Sequence, residues 1–517
     1  MTVHPKLNAD VAKEFTPCRH DSGVVCDHCI FVEDPNIEIL PPYTDGRPEV
    51  VICDGPDFLY QDFATLNDLV LLIRSWIEFQ LNKPNVAGVI FGMDRGTPAP
   101  KAANRQTDDK GNTPKTPFDE FGVSDARVAW KKYFDHHCSN PNAVSSSLSE
   151  LNGTAHSYNR YIRPPNFPDF LKNRAFKEFF SDIVLAAVYR SVKIPAGRWF
   201  VAIGAFDYAK KRNAHAEMPL DEFYKRPYFE MDYETVHLAN NLHRQYHVTI
   251  YSRDGDVWLA NLLSQTRRIV DLGDGSVDAI DFGGQVIVVR QWRKRGKFAY
   301  VRIAHLWRAI YNHALALEKC ITVQPGFRFE SPVATYVFLM LLFKNDYVTG
   351  FPILTPERVL TAVRVKLGMI GLPLLEGAQS AETLRIDCSA VLRVLLYAYE
   401  LKYPKLAIDV FDIDTSMHNI QKQLGSFAGG FTVSTVKVAI SNAYWFMQYM
   451  IKAQTGNVPE TGLETAKRGD IRISKYGYVE ESPVEINKNY TGVPNVVRPM
   501  DVAWQHLRMN RDCEADA

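Results

Sequence analysis

A chain of 517 residues with 46% hydrophobic and 12% aromatic side chains is too apolar to be disordered and is long enough for about two to four domains. Lysine plus arginine equal aspartate plus glutamate at 59 each, so net charge excludes no partner class and a nucleic-acid partner would have to be met by clustered basic residues. The longest apolar run, residues 333–343, is short of the roughly twenty residues a membrane-spanning helix needs, the polar N-terminus lacks a signal-peptide core, and eight scattered cysteines fit a reducing compartment.

Residues 1–48 show no clean periodicity and form an N-terminal extension. Within it Cys18, His20, Cys26 and Cys29 offer four soft ligands, the number a tetrahedral zinc ion takes. The ligand pairs are closer together than in most zinc modules. A structural zinc ion and a loop with incidental thiols both stay open.

Glu49-Val50-Val51-Ile52-Cys53-Asp54 reads as a short buried strand ending in an acid, closed by Gly55-Pro56. Apolar residues at three-to-four spacing (Leu66, Val70, Ile73, Ile77, Leu81) predict a helix over 58–81. A second strand, 86–91, also runs into an acid, Asp94. Residues 97–165 are polar. They carry Lys101, Arg105, Lys110, Lys115, Arg127, Lys131 and Lys132 with Phe118, Phe121, Trp130, Tyr133 and Phe134 between them. Such a run is either a solvated surface or an element that grips phosphates and stacks on bases. His136-His137-Cys138, with no fourth ligand near, reads as incidental.

Residues 167–192 read as a helix and 199–206 as a third strand, followed by a polar linker to about 227. Glu230-Met231-Asp232 opens a helix through Leu242, where the macrodipole alone would favour acids. The strand His247–Tyr251 follows, then Asp254-Gly255-Asp256. Two carboxylates at that spacing point the same way in extended chain and repel unless a cation lies between them. Asp and Gly also make turns for backbone reasons alone. Residues 279–303 predict a β-hairpin with a basic turn, and 332–343 an apolar helix running into Asn345-Asp346-Tyr347. Helices over 356–369, 385–402 and 432–454 predict a helical subdomain at about 371–455, and residues 456–517 read as an irregular extension.

Taken together, Asp54, Asp94, Asp254 and Asp256 follow strands, Glu230 and Asp232 open a helix, and Asp346 closes one. At the carboxyl edge of a parallel sheet, where open α/β sheets bind ligands, these seven acids could not stay ionised without cations. Oxygen donors suit two Mg²⁺ or Mn²⁺ ions, the arrangement of phosphodiester hydrolysis.

The ordered set resembles the FLAP/XPG-type structure-specific 5′ nucleases and their 5′→3′ exoribonuclease relatives. The matching stretches are VVICDGPDFLYQ with Asp54, VIFGMDRGTPAPK with Asp94, Glu230-Met231-Asp232, Asp254-Gly255-Asp256 and Lys344-Asn345-Asp346-Tyr347. Lys101 stands seven residues after Asp94, where the family has a lysine, and Arg105 lies one helical turn further on. The likeness covers roughly residues 49–370. It implies an α/β fold with a PIN-like 5′ nuclease core: a mainly parallel sheet flanked by helices, a helical arch or cap at about 97–165, and a C-terminal helical subdomain. It implies two divalent metals on the seven acids, with Lys101 and Arg105 as catalytic phosphate contacts. Four features depart from the pattern: 53 residues precede Asp54, GFPILTPERVLTAV lacks the paired glycines of the duplex-gripping hairpin, Asn345-Asp346-Tyr347 with Phe351-Pro352 is closer to the exoribonuclease wording, and the gaps from Asp94 to Glu230 and from Asp256 to Asp346 are long for a minimal flap nuclease.

The expected activity is a metal-dependent 5′→3′ nuclease acting on a single-stranded 5′ end or flap, on DNA before RNA. The expected partner is nucleic acid, with no membrane, and the expected place is inside the cell, nuclear before cytoplasmic. A 5′→3′ exoribonuclease is the first alternative. A non-catalytic nucleic-acid-binding member of the fold is the alternative of another class, and an unrelated α/β metalloenzyme such as a phosphatase is a third.

Overall fold

Continuous runs of β-branched and aromatic residues, without alternation, are what a parallel sheet covered on both faces requires. The computed structural model of the chain contains that sheet. It describes residues 31–34, 45–94, 163, 167–171, 174–204, 208–212, 216–219, 230–266, 286–292, 297–304, 306–307, 332–343, 354, 358–359, 362, 375–376, 383–410, 412–425, 433–455, 472–473 and 479–480. The described residues fall into two compact units, 45–238 with 245–252, and 31–34, 239–244 and 253–480. Strand β1 (Phe31–Asp34) belongs to the second.

In the first unit β2 (Glu49–Asp54), β3 (Val86–Gly92), β4 (Trp199–Ile203), β5 (Tyr208–Arg212) and β6 (His247–Tyr251) lie in the order β6-β2-β3-β4-β5. The first four are parallel, and β5 runs antiparallel along β4. Every residue of β2 and β4 is buried. Strand β5 lies inside the segment whose composition predicts a linker. Its Lys210, Lys211 and Arg212 suit a sheet edge, which charges protect from pairing with other chains, and they hide it from a search for apolar runs.

Two helices stand where one is predicted over 58–81: α1 (Pro56–Leu59) and α2 (Leu66–Leu81). The break has a local cause. The Thr65 hydroxyl accepts from the Asp68 N–H at 3.3 Å, and the Asp68 carboxylate accepts from the Thr65 N–H at 2.8 Å. This capping box starts a new helix at Leu66. Helix α2 buries Leu66, Leu69, Val70, Ile73, Ile77 and Leu81. It packs on β3 and on α4 (Arg174–Ser191), which follows the short α3 (Phe167–Phe170). Val51, Cys53 and Phe91 from the strands meet Ile73, Ile77, Phe180 and Val184 in one core, where each large apolar side chain is worth about 1.5–3 kcal/mol of transfer free energy. Phe63, Phe167 and Phe180 close one end, with edge-to-face ring centroids 5.1 Å apart. The Arg163 guanidinium lies over Phe63 and Phe167 and pairs with Asp62 at 3.1 Å, while the Arg163 backbone N–H donates to the Ala64 carbonyl at 2.8 Å. That clasp ties down the chain just before α3. Helix α5 (Met231–Leu242) begins in the first unit.

In the second unit α6 (Gly255–Thr266) packs on α7 (Pro332–Leu341) and α10 (Val433–Thr455), and α8 (Cys388–Lys402) packs on α9 (Ile413–Leu424) and α10. The predicted hairpin is present as β7 (Val286–Trp292) and β8 (Lys297–Arg302), and β1 adds antiparallel to β8. Two short antiparallel pairs, β9 (Leu375–Glu376) with β10 (Arg385–Ile386) and β11 (Arg472–Ile473) with β12 (Val479–Glu480), complete it. Helix α9 has no counterpart in the sequence reading. Asp412 caps it, accepting from the Thr415 N–H at 3.1 Å, and Gly425 ends it at φ +57°. The helix predicted over 356–369 lies mostly outside the described residues. Among the described residues no helix is long and apolar enough to cross a membrane.

Candidate active site

The chain steps from β2 to β3 to β4 in one direction and returns with β6 on the other side of β2. Loops leaving β2 and β6 therefore diverge, and a crevice at the carboxyl ends of a parallel sheet follows from the topology. Asp54 is the last residue of β2, Ser252 the first after β6, and Asp94 stands two residues beyond β3.

Close backbone packing positions these groups. The Gly55 N–H donates to the Gly92 carbonyl at 2.7 Å, and the Met93 N–H to the Ile203 carbonyl at 2.8 Å. A Cβ on Gly92 would lie 2.1 Å from the Met231 sulfur, so glycine lets the start of α5 rest directly against the end of β3. There the Met231 N–H donates to Asp94 Oδ1 at 3.0 Å. Asp94 thus caps α5 from a distant part of the chain, and the helix's positive end favours its charge. The other oxygen, Oδ2, accepts from Lys177 Nζ at 2.9 Å.

Asp232, in the first turn of α5, faces Asp54 across Ser252. The Ser252 hydroxyl lies 3.1 Å from Asp54 Oδ2 and 3.3 Å from Asp232 Oδ1, and one hydroxyl hydrogen serves only one of them at a time. Asp54 is 6% exposed. Burial pushes its carboxyl well above the usual range. The charges of Asp232, Asp57 and Asp94 push it further, and so does a direct hydrogen bond with Asp232. Each carboxyl disfavours the charge of the other, and a nearby positive charge would relieve that repulsion.

Of the seven acids named from the sequence, Asp54, Asp94, Glu230 and Asp232 lie in the first unit. Glu230 is buried immediately before α5, its carbonyl accepting from the Glu234 N–H at 3.3 Å. Asp254 and Asp256 belong to the second unit. They flank the first residue of α6, where Asp254 Oδ1 accepts from the Asp256 N–H at 3.3 Å, a helix-capping contact. Asp346, Lys101, Arg105, the Cys18, His20, Cys26 and Cys29 cluster and nearly all of the 97–165 segment lie outside the described residues.

The donors around Asp54 are carboxylate and hydroxyl oxygens, with Asp54 and Ser252 buried and Asp57, Asp94 and Asp232 half-buried, a donor chemistry that fits a hard divalent cation. Among the described residues no group of three or more His, Cys, Asp or Glu side chains is placed to hold a metal ion. Asp94 Oδ2 is covered by Lys177 Nζ, which a metal ion on that oxygen would displace.

Three residues here escaped the sequence reading. Asp57 sits in the first turn of α1, three residues after Asp54. Ser252 lies between the β6 end and Asp254. Lys177 shares a helical stripe with Phe180, Ser181, Val184 and Val188, all buried, and a lysine on an apolar stripe was the available signal.

No protein-family model and no curated protein matches the chain. Among solved structures it aligns with a bacteriophage T5 protein co-crystallised with metal ions, at 12% identity over 78% of this chain and 99% of that one, with a TM-score of 0.27. It aligns likewise with the T5 flap endonuclease in a pseudo-enzyme-product complex with DNA and metal ions, at 11% identity over 76% and 99%, again with a TM-score of 0.27. At that TM-score the likeness carries no weight.

Proposed function

We propose that the chain is a divalent-metal-dependent 5′→3′ nuclease of PIN-like fold that hydrolyses phosphodiester bonds at single-stranded 5′ ends or flaps, on DNA before RNA. The observation that carries this reading is the convergence on buried Asp54. Acids from the end of β2, the end of β3 and the start of α5 meet at the switch point of a parallel sheet, where Asp54 cannot ionise freely beside its neighbours. Such a cluster is unfavourable for folding alone and suits a site that recruits positive charge.

Asp54, Asp94, Glu230 and Asp232 would hold metal from this unit, joined by Asp254, Asp256 and Asp346 as the family resemblance assigns them. Bound Mg²⁺ or Mn²⁺ supplies an acidified water and a Lewis acid for the leaving oxygen. The chain's own groups set the frame. The α5 N-terminus orients Asp94, and the Ser252 hydroxyl keeps Asp54 and Asp232 facing each other. Lys101 and Arg105 are the proposed phosphate contacts, and the basic, aromatic 97–165 segment the selector of a free 5′ end.

The test is cleavage with Mg²⁺ or Mn²⁺ of four 5′-labelled substrates: single-stranded DNA, a 5′-flap duplex, a blunt duplex and 5′-phosphorylated single-stranded RNA. Cutting of flap or single-stranded DNA, lost in Asp54→Ala with an intact circular-dichroism spectrum, is expected. Mononucleotide release from RNA alone assigns an exoribonuclease. The Lys177–Asp94 pair favours a second reading, a non-catalytic nucleic-acid-binding member, and binding without metal-dependent cleavage of any substrate would establish it.

A further inference from the structure

Lys177 is out of place as a purely structural residue. Helix α4 turns one stripe into the core, with Phe180, Ser181, Val184 and Val188 buried, and Lys177 continues that stripe toward the carboxyl edge of the sheet. Its side chain is 22% exposed and that of Asp94 21%, so the pair is partly withdrawn from water. The Ser181 hydroxyl donates to the Lys177 carbonyl at 2.7 Å and fixes the helical turn at its root. From there the stem reaches Asp94 Oδ2 at 2.9 Å, while Oδ1 stays tied to the α5 N-terminus. One oxygen of Asp94 thus serves the fold, and the other is covered by an ammonium group.

A carboxylate oxygen under an ammonium is a poor metal ligand, because the two cations repel across it. An ammonium on four methylenes can also withdraw without disturbing the helix, whereas a guanidinium locks a carboxylate in a two-pronged grip. We propose that Lys177 is the internal counter-ion of Asp94: it neutralises that carboxylate in the metal-free protein and is displaced when a divalent cation enters the acid cluster. Lys177 is then a positioning residue that opposes metal binding and stabilises the empty site. The proposal rests on the metal reading of the cluster given above.

The full chain is titrated with Mn²⁺ at low salt, by calorimetry and by electron paramagnetic resonance of the free ion. Wild type, Lys177→Met, Lys177→Arg and Asp54→Asn are compared. Lys177→Met, which keeps the apolar stem and removes the charge, should bind Mn²⁺ about tenfold more tightly if the pair is closed nine-tenths of the time in the free protein. Lys177→Arg should bind no more tightly than wild type. Thermal unfolding gives the independent readout: Lys177→Met should melt below wild type without metal and match it in saturating Mn²⁺. A folded Lys177→Met whose Mn²⁺ affinity is equal or weaker overturns the counter-ion role, as does a melting deficit that Mn²⁺ leaves in place. Equal Mn²⁺ binding by wild type and Asp54→Asn would instead sink the metal reading of this cluster, and the counter-ion role with it.

Discussion

Asp54→Asn should stabilise the metal-free protein at neutral pH. Asp54 is buried at the end of β2, beside Asp232, Asp57 and Asp94, and its folded-state carboxyl is held well above the ordinary 3.8 by burial first and by those charges next. An acid raised on folding contributes stability that is fully present below its unfolded value and is lost as the pH rises through its folded value. The wild-type protein should therefore lose stability from about pH 4 upward. Each tenfold penalty on ionisation corresponds to about 1.4 kcal/mol. Asparagine carries no charge, fits the same space, can still accept from Ser252, and has an N–H₂ group to donate to Asp232. The gain at pH 7 should be at least about 1 kcal/mol, read as a melting temperature higher by about 2–4 °C for a unit of this size. Urea unfolding in EDTA from pH 3.5 to pH 8 is the assay. The stability difference should grow with pH and vanish at the acid end. Mn²⁺ should stabilise wild type and not the variant. A variant less stable than wild type at pH 7, or a difference independent of pH, would refute the account of Asp54 as a strained acid.

Ser252→Ala removes the hydroxyl that lies between Asp54 and Asp232. It should cost about 1–2 kcal/mol at pH 7 and less at pH 4, where protonated carboxyls can donate to each other. The same pH series of urea melts checks this. Gly92→Ala drives a methyl group to 2.1 Å from the sulfur of Met231, whose side chain is fully buried. It should cost about 1–3 kcal/mol by overpacking. In Gly92→Ala with Met231→Ala the two losses should not add, since the second change makes room for the first; strict additivity in a double-mutant cycle would show that the α5 start does not rest on β3.

What the sequence showed most plainly was the parallel sheet and the acids at its strand ends. Short β-branched and aromatic runs around Val51, Ile90, Phe200 and Val248 favour strands covered on both faces, and an acid just past a parallel strand lands on the carboxyl edge. Less was legible where a charged or polar residue does structural work. The Lys210-Lys211-Arg212 edge strand resembles a linker, because edge strands are protected by the residues that mark loops. Helix α9 buries Ser416, Met417, Ile420 and Leu424 within an otherwise polar stretch, so a search for apolar runs passes over it although its period is marked. The contacts that define the site were the hardest to foresee. Lys177 meets Asp94 across 83 residues, and Asp94 holds the α5 start across 137, distances over which no local pattern specifies a partner. Asp254 could be read as ligand or as turn, and its bond to the Asp256 N–H gives it a capping role from its own neighbourhood.

The sheet order also governs when the site can exist. Strand β2 is made well before its partner β6, and Ser252 is 198 residues beyond Asp54. Until then one edge of the fully buried β2 is open, and contacts of such sequence separation close slowly. A ribosome-bound chain carries Asp54 and Asp94 long before Lys177, Met231 and Ser252 arrive to hold them. The acid cluster is therefore assembled last, and a partly made chain has the carboxylates without the geometry. The contacts that position Asp54 and Asp94 are therefore absent until the first unit is complete.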